Sequence, residues 1–205
     1  MWPKRHQAEE DLRPYWNPDE EITAFRTLDR WRENEPAFAY AMIVQMLFGL
    51  RFGELRALEK RDLDLKIPGL WVKRSMARKK THAPKNGKAR FHQLPVALAE
   101  ELDEYSRTTS GNLLFPSPTG NRLDNAVLNR AYARLALEAG VPRITSHGAR
   151  HTCASSSAAH GLSQAQIARY IGHSDVATTS RYTHVADSGM RSLVDARWRH
   201  LKSDS

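Results

Sequence analysis

The pattern of apolar and polar positions predicts a series of helices interrupted once by short strands. Apolar residues are spaced for a helix from about Pro18 to Trp31, and a largely apolar run follows from Pro36 to Leu50. Asn17 precedes the first run as an N-cap, with a proline at the first helical position, and Gly49 ends the second. Glu54, Leu55 and Leu58 predict one further helical turn.

The segment from Asp62 to Val96 has a different pattern. Its apolar residues occur in short stretches separated by Pro68-Gly69 and by Asn86-Gly87. Short antiparallel strands are the natural interpretation, and Asn-Gly is among the strongest hairpin-turn signals because both central residues need positive φ. The predicted strand residues are Leu63, Leu65, Leu70, Val72, Phe91 and Leu94.

Helical patterns return after this segment and continue to the C-terminus. They cover Pro95–Arg107, Asp124–Ala139 with Gly140 as C-cap, Ser146–His160, Ser163–Ile171, Asp175–His184 and a last helix from about Ser188. The last helix has one apolar stripe, formed by Met190, Leu193, Val194, Trp198 and Leu201. Spacing reports a buried face but not whether it packs on its own domain or on a neighbouring protomer. The predicted class is α+β, mainly α-helical, with a small antiparallel β-sheet.

Length and composition favour one folded domain. The chain has 205 residues, which fits a single domain with an adequate core. Residues 1–16 are charged and contain two prolines, so they are interpreted as an arm or linker remnant, and 17–205 as the domain. A net charge of +8 suits a polyanionic partner but cannot choose between DNA, RNA and an acidic membrane.

The compartment is predicted from cysteine usage and from the absence of targeting patterns. Cys153 is the only cysteine, so no internal disulfide can form, which fits a reducing compartment. No run is apolar for long enough to span a bilayer, and the N-terminal residues do not resemble a signal peptide. A cytoplasmic protein without a membrane segment is expected.

Two polar clusters in the last third of the chain carry the candidate chemistry. His147 and Arg150 open one helix and lie three residues apart, so both can point into one pocket. His173 follows Gly172, and Tyr182 comes a short helix later. Guanidinium and imidazole donors can bind the negative charge that a phosphodiester gathers under attack, and a tyrosine oxygen can be the nucleophile.

Four segments together resemble the catalytic domain of the tyrosine recombinases, the phage integrase family. They are F-G-L-R-F-G-E-L at Phe48–Leu55, K-N-G-K at Lys85–Lys88, S-H-G-A-R-H-T at Ser146–Thr152 and I-G-H-S-D-V-A-T-T-S-R-Y-T-H-V at Ile171–Val185. The resemblance runs from about Asn17 to the C-terminus. It implies the tyrosine recombinase (DNA breaking-rejoining enzyme) fold and site-specific recombination or integration of DNA, typical of mobile elements.

The resemblance also implies roles for the residues that match its motifs. Arg51 and Arg150 would bind the non-bridging oxygens of the scissile phosphate, for which a forked guanidinium is better suited than lysine. Glu54, three residues after Arg51, would hold that guanidinium in place. Lys85 would be the general acid that protonates the departing 5′ oxygen, with Lys88 as its rival in the same hairpin.

The remaining matched residues would handle protons and the nucleophilic step. His147 would be the base or proton shuttle, and His173 would donate a hydrogen bond to the phosphate. Tyr182 would attack phosphorus and form a 3′-phosphotyrosyl link, without a metal or another cofactor. His147 and His151 have the spacing of a zinc pair, but Gly148 stands where a metalloprotease needs glutamate, so His151 is expected to be packed or hydrogen-bonded.

The implied partner is double-stranded DNA, bound by a tetramer on paired recombination sites, with a monomer when free. Two alternatives stay open from the residues alone. A type IB topoisomerase shares the chemistry and would relax supercoils without paired sites. A DNA-binding module that has lost catalysis would bind DNA without forming a covalent adduct.

Overall fold

The predicted mainly helical α+β class with a small antiparallel sheet is confirmed. A computed structural model describes residues 15–77, 80–82, 89–172, 191–196 and 198–199. The helices are α1 (Pro18–Asn34), α2 (Pro36–Phe48), α3 (Phe52–Leu55), α4 (Val96–Thr108), α5 (Asn125–Ala139), α6 (Ser146–Ala159) and α7 (Gln164–Ile171).

Local capping signals set the helix ends. At α1, the Asn17 side chain accepts the Glu20 backbone N–H, and the Glu20 carboxylate accepts the Asn17 N–H in return. Ser163 and Gln166 form the same reciprocal cap at the start of α7. Helices α2, α5 and α7 each end at a glycine in the left-handed region, as the sequence predicted.

The strands form two small antiparallel sheets. Strands β1 (Leu63–Asp64), β2 (Gly69–Val72) and β5 (Arg90–Gln93) pair in that order, while β3 (Ser75–Ala77) pairs with β4 (Lys80–His82). In the β2–β5 register Leu70 lies opposite His92 and Val72 lies opposite Arg90. Arg90 and His92 are two residues apart, so they lie on the face of the sheet that packs inward.

Two predicted elements are shorter than the pattern indicated. Helix α3 ends at Leu55, so Leu58 lies beyond it although its side chain is buried. Strand β1 ends at Asp64, whose carboxylate accepts the backbone N–H groups of Lys66 and Ile67 and turns the chain. Leu65, predicted as a strand residue, therefore lies in that turn and is exposed.

Trp16, the last residue of the predicted arm, belongs to the hydrophobic core. Its side chain is fully buried, its indole N–H donates to the Pro142 carbonyl oxygen, and its backbone N–H donates to the Thr152 hydroxyl. Its ring also packs against Tyr132. A large aromatic side chain with a satisfied N–H is favourable in a core, so packed structure extends to this residue.

A buried amide joins three helices inside the core. Gln45 of α2 is fully buried, and its Nε2 donates to the Ser146 hydroxyl at 2.8 Å and to the Leu50 carbonyl oxygen at 3.1 Å. Its Oε1 accepts from the Tyr132 hydroxyl of α5 at 3.0 Å. These three bonds fix the end of α2 against the first turn of α6, because a misplaced Gln45 would leave buried polar groups unpaired.

Residues 191–196 and 198–199 are helical and pack on the same domain. Val194 and Trp198 belong to the main hydrophobic cluster, and the Arg32 guanidinium lies over the Trp198 ring. The described part of the predicted C-terminal stripe is thus covered by its own chain. No helix within the described ranges has the length and hydropathy needed to cross a membrane.

Candidate active site

Arg51 lies where α2 has ended and α3 begins. Gly49 takes a left-handed conformation, with φ of 59°, and turns the chain so that Leu50 enters the core. The Arg51 side chain, 25% exposed, donates through Nη2 to the Gly172 carbonyl oxygen at 2.6 Å. Arg51 therefore connects the start of α3 to the end of α7, although 121 residues separate the two positions.

Glu54 is fully buried and holds Arg51 in place, as its spacing predicted. Its Oε1 accepts from Arg51 Nη1 at 3.2 Å, and its Oε2 accepts the Arg51 backbone N–H at 3.0 Å. A fully buried carboxylate is tolerated here because charged and hydrogen-bonding partners replace the hydration that it loses.

Arg150 projects from α6 into the same region and is almost completely buried, at 4% exposure. Its Nη1 donates to the carbonyl oxygens of Gly49 and Ile171. Its Nη2 is buried and has no hydrogen-bond partner in the part of the chain that the structure describes. Burial, and secondly the positive charge of Arg51, lowers the pKa of Arg150 to about 10, so it stays protonated at neutral pH.

His147 lies one turn before Arg150 on the same helix and is exposed. Its Nε2 lies 3.0 Å from Nε2 of His151, and the two rings meet edge to face. Burial, and then His147, lowers the pKa of His151. His151 is thus hydrogen-bonded, as expected from the sequence, and the described residues contain no group of three His, Cys, Asp or Glu side chains that could hold a metal ion.

Arg90, at the start of β5, is a member of the cluster that sequence reasoning missed. Its Nη2 donates to Glu54 Oε2 at 2.8 Å, and its side chain is 13% exposed. The guanidinium lies against Gly172, where a Cβ would stand 2.3 Å from Arg90 Nη1. The strand register sets Arg90 opposite the apolar Val72 and directs both side chains inward, and this register is visible only once the strands are paired.

The other predicted site residues are not among those described. Lys85, Lys88, His173 and Tyr182 lie outside the described residues, and the roles inferred for them stay predictions. Gly172, which immediately precedes His173, accepts from Arg51 and contacts Arg90. The described cluster therefore comprises Arg51, Glu54, Arg90 and Arg150 around the end of α7, with His147 on the neighbouring turn.

The cluster can bind an anion. Three guanidinium groups surround one carboxylate, which leaves an excess of two positive charges in a largely buried site. Forked guanidinium donors in such a site bind phosphate oxygens strongly, because the low local dielectric strengthens charge-assisted hydrogen bonds.

Comparison with known proteins gives a family match over most of the chain. The family model described as phage integrase family matches residues 24–188. The tyrosine recombinase XerC of Bifidobacterium longum (strain DJO10A) is 29% identical over 153 residues, which is 71% of this chain but 43% of the XerC sequence. This chain therefore spans less than half the length of that relative.

Solved structures share the fold. The crystal structure of the XerA recombinase has 28% sequence identity and a TM-score of 0.61, covering 89% of this chain and 64% of that one. The Tn1549 transposon integrase, in complex with a circular intermediate DNA, has a TM-score of 0.66 at 18% identity, covering 78% of this chain and 58% of that one.

Proposed function

This chain belongs to the phage integrase family, and we propose on that basis that it is the catalytic domain of a site-specific tyrosine recombinase. The reaction would cut one DNA strand at a specific site and rejoin it to a new partner through a 3′-phosphotyrosyl intermediate. The observation that carries this proposal is the convergence of Arg51 and Arg150 next to Gly172. The two guanidinium groups come from the residue before α3 and from α6, yet they donate to the adjacent carbonyl oxygens of Gly172 and Ile171.

Phosphate binding by the two arginines would activate the electrophile. Each guanidinium would donate to a non-bridging oxygen of the scissile phosphate, and these bonds would strengthen as charge develops during attack. Arg150 Nη2, which has no partner among the described residues, and the 25% exposed Arg51 leave donors for this purpose. His173, next to Gly172, would add a further hydrogen bond.

Strand cleavage would then be a direct displacement at phosphorus. The Tyr182 oxygen would form a bond to phosphorus while its proton passes to His147, and the bond to the 5′ oxygen would break. Lys85 or Lys88 would give a proton to that oxygen, leaving a free 5′ hydroxyl. Since the new link keeps the phosphodiester energy, attack by another 5′ hydroxyl would reseal the strand without ATP or a metal.

The proposed partner is double-stranded DNA in the cytosol, bound by four protomers on two recombination sites. The net charge of +8 supports a polyanionic partner. The Tn1549 integrase is seen with a circular intermediate DNA, and the XerH recombinase is seen bound to its difH substrate. Binding dominated by phosphate contacts weakens steeply as salt concentration rises.

A pool of nicked DNA duplexes with randomised sequence tests the proposal. Cleavage near a nick releases a short strand, so resealing fails and a covalent product accumulates. We expect part of the pool to remain attached to the protein in SDS, and mass spectrometry of the digested product to find the nucleotide on Tyr182. DNA binding without any covalent product would contradict the proposal.

The two hairpin lysines can be separated with a modified leaving group. Lys85→Ala is expected to slow cleavage of the captured sequence, whereas Lys88→Ala is expected to have a smaller effect, because a general acid contributes roughly 100- to 10,000-fold. A 5′-bridging sulfur leaves without being protonated, so it should restore the rate of the variant that lacks the acid. Rescue of Lys88→Ala, and not of Lys85→Ala, would reverse the assignment.

A further inference from the structure

We propose that Arg90 is a positioning residue, which offsets the buried charge of Glu54 so that Arg51 keeps its positive charge available for the scissile phosphate. The inference rests on the proposed function, since it concerns the same phosphate site. It assigns a third arginine to a site for which the sequence motifs indicated two.

The negative charge of Glu54 reduces the positive charge that Arg51 can offer to a phosphate. Its carboxylate bonds to both the backbone and the side chain of Arg51, which fixes the guanidinium but also neutralises it. Among the described residues of the cluster Arg150 is then the other cation, so Arg51, Arg150 and Glu54 together carry a single positive charge in excess. Arg90 donates to Glu54 Oε2 at 2.8 Å and raises that excess to two.

An excess of two positive charges equals the negative charge that the phosphate carries during attack. A phosphodiester carries one negative charge, and attack on phosphorus brings a second onto its oxygens. Donors that are already oriented stabilise that change without reorganising. With Arg90, the described cluster therefore matches the two negative charges of the transition state, whereas Arg51, Arg150 and Glu54 without it match only the single charge of the bound phosphodiester.

The surroundings of Arg90 hold it at this position. Gly172 gives it room, because a Cβ there would stand 2.3 Å from Nη1 and 2.6 Å from Cζ. Gly172 also has a φ of 73°, which other residues adopt only with strain. The Arg90 guanidinium is thus confined between Glu54 and Gly172.

The groups around Arg90 do not provide a competing anion. His92 lies on the same face of β5 and is fully buried; burial, and then Arg90 and Arg150, lower its pKa to about 3, so it is neutral at neutral pH. Nε and Nη1 of Arg90 are buried without a hydrogen-bond partner among the described residues. Glu54 is the one carboxylate that forms an ion pair with Arg90 in the described part of the chain.

Single-turnover cleavage of the duplex recovered by covalent capture tests the inference. Arg90→Gln removes the charge and is expected to slow cleavage by about 10- to 100-fold, with little change in DNA affinity measured separately. Arg74→Gln is the matched control. Arg74 also binds a buried carboxylate, Asp62, and also has a buried unpartnered Nε, but it lies outside the cluster. The Arg74→Gln variant should cleave at the wild-type rate.

Two further measurements distinguish charge from general damage to the fold. The Glu54→Gln/Arg90→Gln double variant has the same excess of two positive charges as the wild type, so it should cleave faster than Arg90→Gln alone. The double variant also leaves neither Glu54 nor Arg90 as an unpaired buried charge. If Arg90→Gln fails to fold, the cleavage rate of the double variant is compared with that of the wild type. A methylphosphonate at the scissile position removes one negative charge, so the defect of Arg90→Gln should shrink on that substrate.

The outcomes separate this inference from the proposed function. A wild-type chain that forms no covalent product would refute the proposed function before any variant is compared. If the wild-type chain cleaves, two results would overturn the role of Arg90 and leave the proposed function standing. In one, Arg90→Gln cleaves as fast as the wild type; in the other, its defect is equally large on the phosphodiester and on the methylphosphonate. A double variant slower than Arg90→Gln would also overturn it.

Discussion

A Tyr182→Phe variant is expected to form no covalent DNA adduct while it still binds DNA. Removing the phenolic oxygen removes the atom that would bond to phosphorus, and it leaves the arginine cluster unchanged. Since a phenylalanine side chain cannot orient a water molecule for attack, hydrolysis should not replace the lost step at a comparable rate.

The described tyrosines of the core are poor substitutes for Tyr182. Tyr132 is fully buried, donates to Gln45, and has its pKa raised well above the ordinary value by burial. Burial likewise raises the pKa of Tyr40 and Tyr105, which pack against each other. These hydroxyls are protonated at neutral pH and are enclosed by the fold.

Tyr170 provides the matched control for this prediction. It lies two residues before Gly172 and its ring packs on Phe48 and His92, so it is close to the cluster. SDS gels of both variants with labelled captured DNA should show the adduct for Tyr170→Phe and none for Tyr182→Phe. An adduct that persists in Tyr182→Phe would show that another residue is the nucleophile.

Arg150→Lys is expected to slow cleavage by about 100- to 1,000-fold, the usual effect of removing one oriented donor to a developing charge. One guanidinium nitrogen of Arg150 donates to two carbonyl oxygens, and another is left for the phosphate. A lysine has a single nitrogen and cannot occupy both positions. Burial would also lower the pKa of an ammonium from a smaller starting value, about 10.4.

The same change should lower stability. The Gly49 and Ile171 carbonyl oxygens would lose their donor, and a buried acceptor left unpaired costs about 1–3 kcal/mol. Thermal melting and single-turnover cleavage would be measured side by side, with Arg74→Lys as control because Arg74 is another largely buried arginine that holds an acceptor, the Asp62 carboxylate, but lies outside the cluster. A cleavage rate within tenfold of wild type would contradict the role of Arg150 as a phosphate ligand.

Local signals made much of the helical framework predictable from sequence. The Asn17 cap, the glycine stops and the contact of Arg51 with Glu54 each depend on residues within one turn of each other. The motifs identified Arg150 and His147, which the structure brings to consecutive turns of α6. These features need no knowledge of how the helices pack.

Arg90 was missed because its contact depends on tertiary structure. The pair with Glu54 spans 36 residues and joins a strand to a helix turn, so no helical period reports it. Leu65 was misassigned for a different reason: the turn at Asp64 is local, but it depends on a side-chain-to-backbone hydrogen bond that apolar spacing does not report. The roles of Lys85, His173 and Tyr182 rest on motif and spacing alone and stay predictions.

The hydrogen bonds of the buried Gln45 amide limit how far α2, α5 and α6 can shift relative to one another. Aliphatic contacts tolerate small sliding between helices, whereas three hydrogen bonds with fixed directions do not. Ser146 starts the helix that carries Arg150, and Leu50 precedes Arg51, so one side chain sets the spacing of both guanidinium groups. Substitutions on the exposed helix faces should therefore leave the distance between the two guanidinium groups unchanged.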